Sequence, residues 1–135
     1  MAYMNWSDDL SVQINEIDEQ HKKLVSQINA LHDGMRSGKG KDALEKTLKE
    51  LAEYTQYHFG TEEKYMKKFG YPDYEKHKKE HDAFVAKVVD FQDSFSSGKL
   101  GLSIDVMKFL SGWITGHIKG TDKNYIDCFR ENGVA

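Results

Sequence analysis

A chain of 135 residues with 39% hydrophobic and 30% charged positions can bury one core and is too short for two ordinary domains. Its net charge of -3, with lysines scattered along its length, leaves no basic stripe to hold phosphates, so nucleic-acid binding is set aside. No stretch approaches the roughly 20 apolar residues of a membrane span, the opening MAYMNWSDDL lacks the basic start and apolar core of a signal peptide, and the lone Cys128 rules out an internal disulfide.

A single proline and few runs of β-branched residues predict an all-α chain. Residues up to about 17 carry Tyr3, Trp6, Leu10, Val12 and Ile14 without a sustained helical period, which reads as an extended arm lying against the rest. Ile17, His21, Leu24, Ile28, Leu31 and Met35 then recur at steps of four and three, the pattern of one helix face over about 18–37, and Ser37-Gly38-Lys39-Gly40 stops it. Leu44, Leu48, Leu51, Thr55, His58, Glu62, Tyr65 and Phe69 continue the alternation over about 41–69, up to the break at Gly70-Tyr71-Pro72.

A third helix over about 72–96, entered through Pro72 and Asp73, carries Tyr74, His77, His81, Phe84, Val88, Phe91 and Phe95 and closes at Ser96-Ser97-Gly98. The fourth, about 103–119, runs through Val106, Leu110, Trp113 and His117 with Ser103 or Asp105 available to cap it, and a short helical segment follows. Short connections favour an up-down-up-down antiparallel four-helix bundle, one domain over 1–135.

Five of the six histidines, and Glu62, stand on the apolar seams where a bundle ordinarily places leucine or isoleucine. A buried histidine alone is most simply a hydrogen-bonded core residue. Convergence argues otherwise. His58 and Glu62 are four apart, as are His77 and His81, so each pair projects from successive turns of one face. In the antiparallel arrangement His21 lies early in the first helix, His58 and Glu62 late in the second, His77 and His81 early in the third and His117 late in the fourth, so all meet at one end. Asp122 follows His117 by five, which on a regular helix points the two about 140° apart. A distortion of the π type, permitted by Gly116 and Gly120, is therefore predicted between them.

Seven candidate ligands exceed the four of a closed structural zinc site, and carboxylates readily bridge two metals in bundle cores. Two ions are indicated. Imidazole suits zinc, copper, nickel and iron alike. For two octahedral irons, five histidines, two bridging carboxylates and one bridging oxygen fill about eleven of about twelve positions. The remaining position would be open to a small exogenous ligand.

A lone histidine, then HxxxE (His58 to Glu62), HxxxH (His77 to His81) and HxxxxD (His117 to Asp122), in this order over nearly the whole chain, resembles the hemerythrin family, and the short arm containing Trp6 looks most like its bacterial members. The resemblance implies that His77, His81 and His117 hold one iron, His21 and His58 the other, and Glu62 and Asp122 bridge them with an oxo or hydroxo group. It implies reversible dioxygen binding, as hydroperoxide, at the two-histidine iron, for carriage, storage or delivery. It also implies an apolar oxygen pocket at Leu24, Phe59, Trp113 and Ile118, and a supporting role for Tyr125 beside a bridging carboxylate. A dry pocket would hinder water and protons from liberating peroxide.

On this reading the protein is no enzyme and has no catalytic residue; its partners are dioxygen and an oxygen-consuming acceptor protein, and a cytoplasmic monomer without membrane insertion is expected. Ferritin-like di-iron enzymes use ExxH motifs, and no histidine here has glutamate three residues before it. A di-iron oxidase or peroxidase is the first alternative, and an oxygen, iron or redox sensor module acting on a separate partner is the second. His32 lies eleven residues after His21, about 16 Å further along the axis, and is no expected ligand. Cys128 reads as a packed thiol. The lysines around His77 and His81 read as a solvated face, and Asp18 as either an orienting group for His21 or a helix N-terminal acid.

Overall fold

The computed structural model describes residues 4–98 and 101–134, so Tyr3 of the expected arm lies outside them. After a single 3-10 turn at Asp8–Leu10 come α1 (Asn15–Arg36), α2 (Gly40–Lys68), α3 (Tyr74–Ser96) and α4 (Leu102–Trp113). A π-helical segment (Ile114–Thr121), a 3-10 turn (Asp122–Tyr125) and a short α5 (Ile126–Glu131) complete the chain. Four helices in up-down-up-down order make an antiparallel bundle in which α1 packs against α2 and α4, and α3 against α2 and α4. Among the described residues there is no strand, and no helix is long and apolar enough to cross a membrane.

α1 begins at Asn15, inside the stretch expected as arm, because Ile14 and Ile17 are buried at the bundle end and Asp18 donates its backbone N–H to Ile14. Asp18 resolves as an anchor for the arm: its carboxylate accepts from Ser11 Oγ at 2.6 Å and from the Val12 N–H at 2.8 Å. Gly101, rather than Ser103 or Asp105, occupies the N-cap position of the fourth helix. Its φ is 72°, and a glycine has no side chain to offer a cap.

Glycine shapes the packing at both ends of the bundle. Gly70 takes φ of 65° after α2, which lets Tyr71 N–H reach back to the Met66 carbonyl at 2.9 Å and turns the chain sharply into α3. That turn brings His77 back over the α2 turn carrying Glu62. At the other end, Gly34 of α1 meets α2 so closely that a Cβ there would lie 2.2 Å from Ala43 Cβ.

The apolar interior comes in two pieces. The larger fills the middle and far end of the bundle through Leu24, Ile28, Leu31, Leu48, Leu51, Phe84, Phe91 and Leu110. The smaller, Val12, Ile14, Ile17, Met66, Tyr71, Tyr125 and Phe129, closes the near end with residues from the arm and the C-terminal turns.

Candidate metal centre

The helical spacing brings the polar seam residues together in one buried space. His21, His58, Glu62 and Asp122 are 0% exposed, His77 and His81 1%, and His117 3%. Their donor atoms fall into two groups that share Glu62: Glu62, His77, His81, His117 and Asp122 in one, and His21, His58 and Glu62 in the other, with the atoms of each group within 4.8 Å of one another. Asp122 also reaches the second group. Its Oδ1 is 2.8 Å from His77 Nε2 and 2.9 Å from His117 Nε2, while its Oδ2 is 3.2 Å from His21 Nε2. Glu62 Oε1 is 3.3 Å from His58 Nε2 and 3.2 Å from His81 Nε2. His32 is in neither group.

Asp122 joins the cluster because the backbone is π-helical over Ile114–Thr121. The wider turn carries a residue five positions on back to the same face, where a regular helix would have turned it away. Neither Gly116 nor Gly120 is needed for space, since a Cβ at either would meet nothing within 4 Å. Their contribution is the flexibility of the backbone.

Outside this ring, three histidines donate from Nδ1. His58 bonds Gln20 Oε1 at 2.6 Å, His81 bonds Glu63 Oε2 at 2.9 Å, and His117 bonds Glu80 Oε1 at 2.9 Å. With the proton held on Nδ1, each Nε2 presents its lone pair to the centre. None of these three acceptors was singled out in the sequence. Each sits one position from a seam residue, beside His21, Glu62 and His81 respectively, on the flank that faces the neighbouring helix, and that adjacency is the signal that could have found them.

All five Nε2 atoms, Glu62 Oε1 and both oxygens of Asp122 are buried without an aligned hydrogen bond. Buried polar groups of this density are costly unless something satisfies them all. A metal pair does: imidazole and carboxylate are the donor types that iron and zinc accept, and the space is closed to bulk water. The fit is good. Without metal, His58, His117, Glu62 and Asp122 titrate away from their ordinary values. Burial lowers the His58 pKa to about 4 despite the attraction of Glu62. Burial also disfavours charge on His117, yet Asp122 beside it raises its pKa to about 9. Burial and Asp122 push Glu62 upward, but His58 and His81 outweigh both and hold it at about 2. Asp122 lies well below the carboxylate range because His117, His21 and His77 overcome the cost of its burial.

Tyr125, 0% exposed, donates its hydroxyl to Glu62 Oε2 at 2.5 Å, and burial together with Glu62 raises its pKa well above 10. The apolar residues expected beside the centre are placed as follows. Phe59 stacks on His81 with centroids 3.9 Å apart, Trp113 stacks on His117 at 4.3 Å, and Leu24 and Ile118 are buried in the larger cluster. Leu24 and Trp113 line a void of about 10 Å³ with Ile28, Leu51, Phe84, Leu110 and Ile114, whereas Phe59 and Ile118 lie outside its wall. The void is at the lower limit for one water and is apolar, so it stays dry.

An antiparallel helical bundle with a buried cluster of five histidines and two carboxylates, split into two groups with shared acids, defines a protein with side chains able to hold metal. The chain belongs to the hemerythrin family: residues 12–129 match its Hemerythrin HHE cation binding domain. It is similar to the bacteriohemerythrin of Pseudomonas paraeruginosa, 37% identical over 132 residues that cover 98% of this chain and 85% of that one. It is also similar to the bacteriohemerythrin of Methylococcus capsulatus, 35% identical over 129 residues, 95% and 98% of the two chains. A crystal structure of wild-type hemerythrin superposes with a TM-score of 0.86 at 34% identity, covering 95% of this chain and 98% of that one.

Proposed function

We propose that this chain binds dioxygen reversibly at two iron ions, as an oxygen-binding protein rather than an enzyme. His77, His81 and His117 would hold one ion, His21 and His58 the other, and Glu62 and Asp122 would be shared. The observation that carries the reading is the convergence of five unpartnered Nε2 atoms on two shared carboxylates inside an apolar wall. When bound, the iron pair supplies a reversible transfer of two electrons to and from dioxygen.

The chain's own residues supply the rest. Gln20, Glu63 and Glu80 orient the imidazoles before metal arrives. Phe59 and Trp113 cover His81 and His117 from the core side, and Trp113 with Leu24 keeps water from the small void. Excluding water and protons favours release of intact dioxygen over loss of a reduced product. Tyr125 fixes the second oxygen of Glu62, so that carboxylate cannot rotate freely. Dioxygen is the partner, with an oxygen-consuming protein as recipient; the lone Cys128 suits a reducing cytoplasm.

The test is anaerobic loading with ferrous iron, an iron count per chain, and absorption spectra through repeated cycles of oxygen and inert gas. Two irons and a colour that appears under oxygen and reverses on its removal are expected. Two irons that oxidise once and stay oxidised would transfer the assignment to oxidase or sensor chemistry.

A further inference from the structure

The outer hydrogen bonds of the histidines are unequal in charge. On the three-histidine side, His81 leans on the carboxylate of Glu63 and His117 on that of Glu80. Glu80 Oε1 also accepts from Thr121 Oγ1 at 2.9 Å, which ties that carboxylate to the end of the π-helical segment. On the two-histidine side the outer acceptor among the described residues is the neutral amide of Gln20, 5% exposed. Its orientation is fixed because its Nε2 donates to Thr61 Oγ1 at 3.3 Å, leaving Oε1 for His58. The central acids do not create this difference, since Glu62 and Asp122 each reach both groups. Glu63 and Glu80 are partly exposed, at 22% and 37%, where a carboxylate avoids much of the desolvation cost borne by the two at the centre.

A carboxylate accepting the Nδ1 proton makes imidazole a stronger donor to a metal at Nε2 than an amide does. A stronger donor favours the more highly charged ion. We infer that Glu63, Glu80 and Gln20 set the order of reduction at this centre: the ion held by His77, His81 and His117 is biased toward the ferric state, and the ion held by His21 and His58 toward the ferrous state. The inference rests on the di-iron reading above. One electron added to the diferric protein goes to the ion at His21 and His58, and the second to the ion at His77, His81 and His117. The three outer residues are positioning residues, acting through the histidines, and the bias keeps the less crowded ion reduced.

The experiment is a potentiometric titration of the iron-loaded full chain with dithionite and mediator dyes, after an iron count, for the wild type and for Glu63→Gln, Glu80→Gln and Gln20→Glu. The wild type is expected to take two irons and reduce in two separated one-electron steps. Each Glu→Gln change should weaken the ferric preference of the later step about tenfold, raising its potential by about 59 mV. Gln20→Glu should lower the earlier step by a similar amount, so the separation narrows in all three. Orientation alone would alter iron retention against a chelator and leave the potentials in place. Two irons per chain with the same separation in every loaded variant would overturn the inference while sparing the di-iron reading; because Gln20→Glu adds a donor-strengthening charge, it tests the point even if a Glu→Gln variant loses iron. A wild-type chain that takes up fewer than two irons would overturn both.

Discussion

Tyr125→Phe removes one hydroxyl and leaves the ring in place, stacked on Phe129 at 4.3 Å and on His77 at 5.6 Å. What disappears is a 2.5 Å hydrogen bond to a fully buried carboxylate. A hydrogen bond to a charged group contributes about 1.5–3 kcal/mol, and leaving the buried acceptor unmet costs its desolvation. For a 135-residue chain, with about 2.1 cal/mol/K of unfolding entropy per residue, the metal-free protein should lose about 5–10 °C in Tm. Circular dichroism melts of metal-free wild type and variant give the difference directly. Because Glu62 stays ionised down to about pH 2, the deficit should hold across neutral pH rather than appear only near it. A shift under about 2 °C would refute the reasoning, since it lies below the low end of that range, and would mean that Glu62 Oε2 finds another donor once the hydroxyl is gone.

The remaining expectations concern the metal, the pocket, the pH profile and the helix contact. His77→Ala should abolish retention of two irons, measured by iron count after gel filtration; unchanged iron would contradict the site. Leu24→Ala should cost about 2–5 kcal/mol of stability and, like Trp113→Ala, keep iron while speeding autoxidation under air. Normal autoxidation in both would leave these residues as core packing only. In the metal-free chain, stability against urea should peak near pH 6.5. Toward acid the unfolded chain protonates His58 while the fold holds it neutral down to about 4. Toward alkali the stabilisation from charged His117, full below 6.5, is lost as pH rises through about 9. A maximum at pH 8 or above would reverse the assigned signs. Gly34→Ala should destabilise by about 1–3 kcal/mol in the same assay, because the new methyl must push Ala43 and its helix away; a neutral result would show that α1 and α2 can slide apart freely.

The seam residues were legible because a buried histidine violates the pattern that surrounds it. His21, His58, Glu62, His77 and His81 each replace an aliphatic side chain at a regular interval, and four helices of alternating direction fix their common depth. Asp122 was legible through its misfit, as a candidate that a regular helix could not bring to the cluster, and the π-helical segment resolves it. Gln20, Glu63 and Glu80 were not legible, since a polar residue at a helix flank looks like solvated surface until the neighbouring helix is placed against it. The arm shows no helical period before Asn15 beyond one 3-10 turn, and its anchoring by Asp18 depends on a tertiary contact seven residues back. The start of the fourth helix escaped for another reason: Ser103 is a good capping residue by type, yet the left-handed turn at Gly101 had already begun the helix before it.

The two groups of donors map onto the two helical hairpins. His21, His58 and Glu62 all come from α1 and α2, while His77 and His81 come from α3, His117 from the π-helical segment and Asp122 from the 3-10 turn after it. Each hairpin thus carries its own half of the donors, and only Glu62 and Asp122 reach across. Cutting the peptide chain in the turn at Gly70 would separate two fragments that each expose half of a polar ring, with no way to satisfy it alone. The ions would then act as rivets between two separate pieces, and reassociation of the fragments would become a process driven by metal.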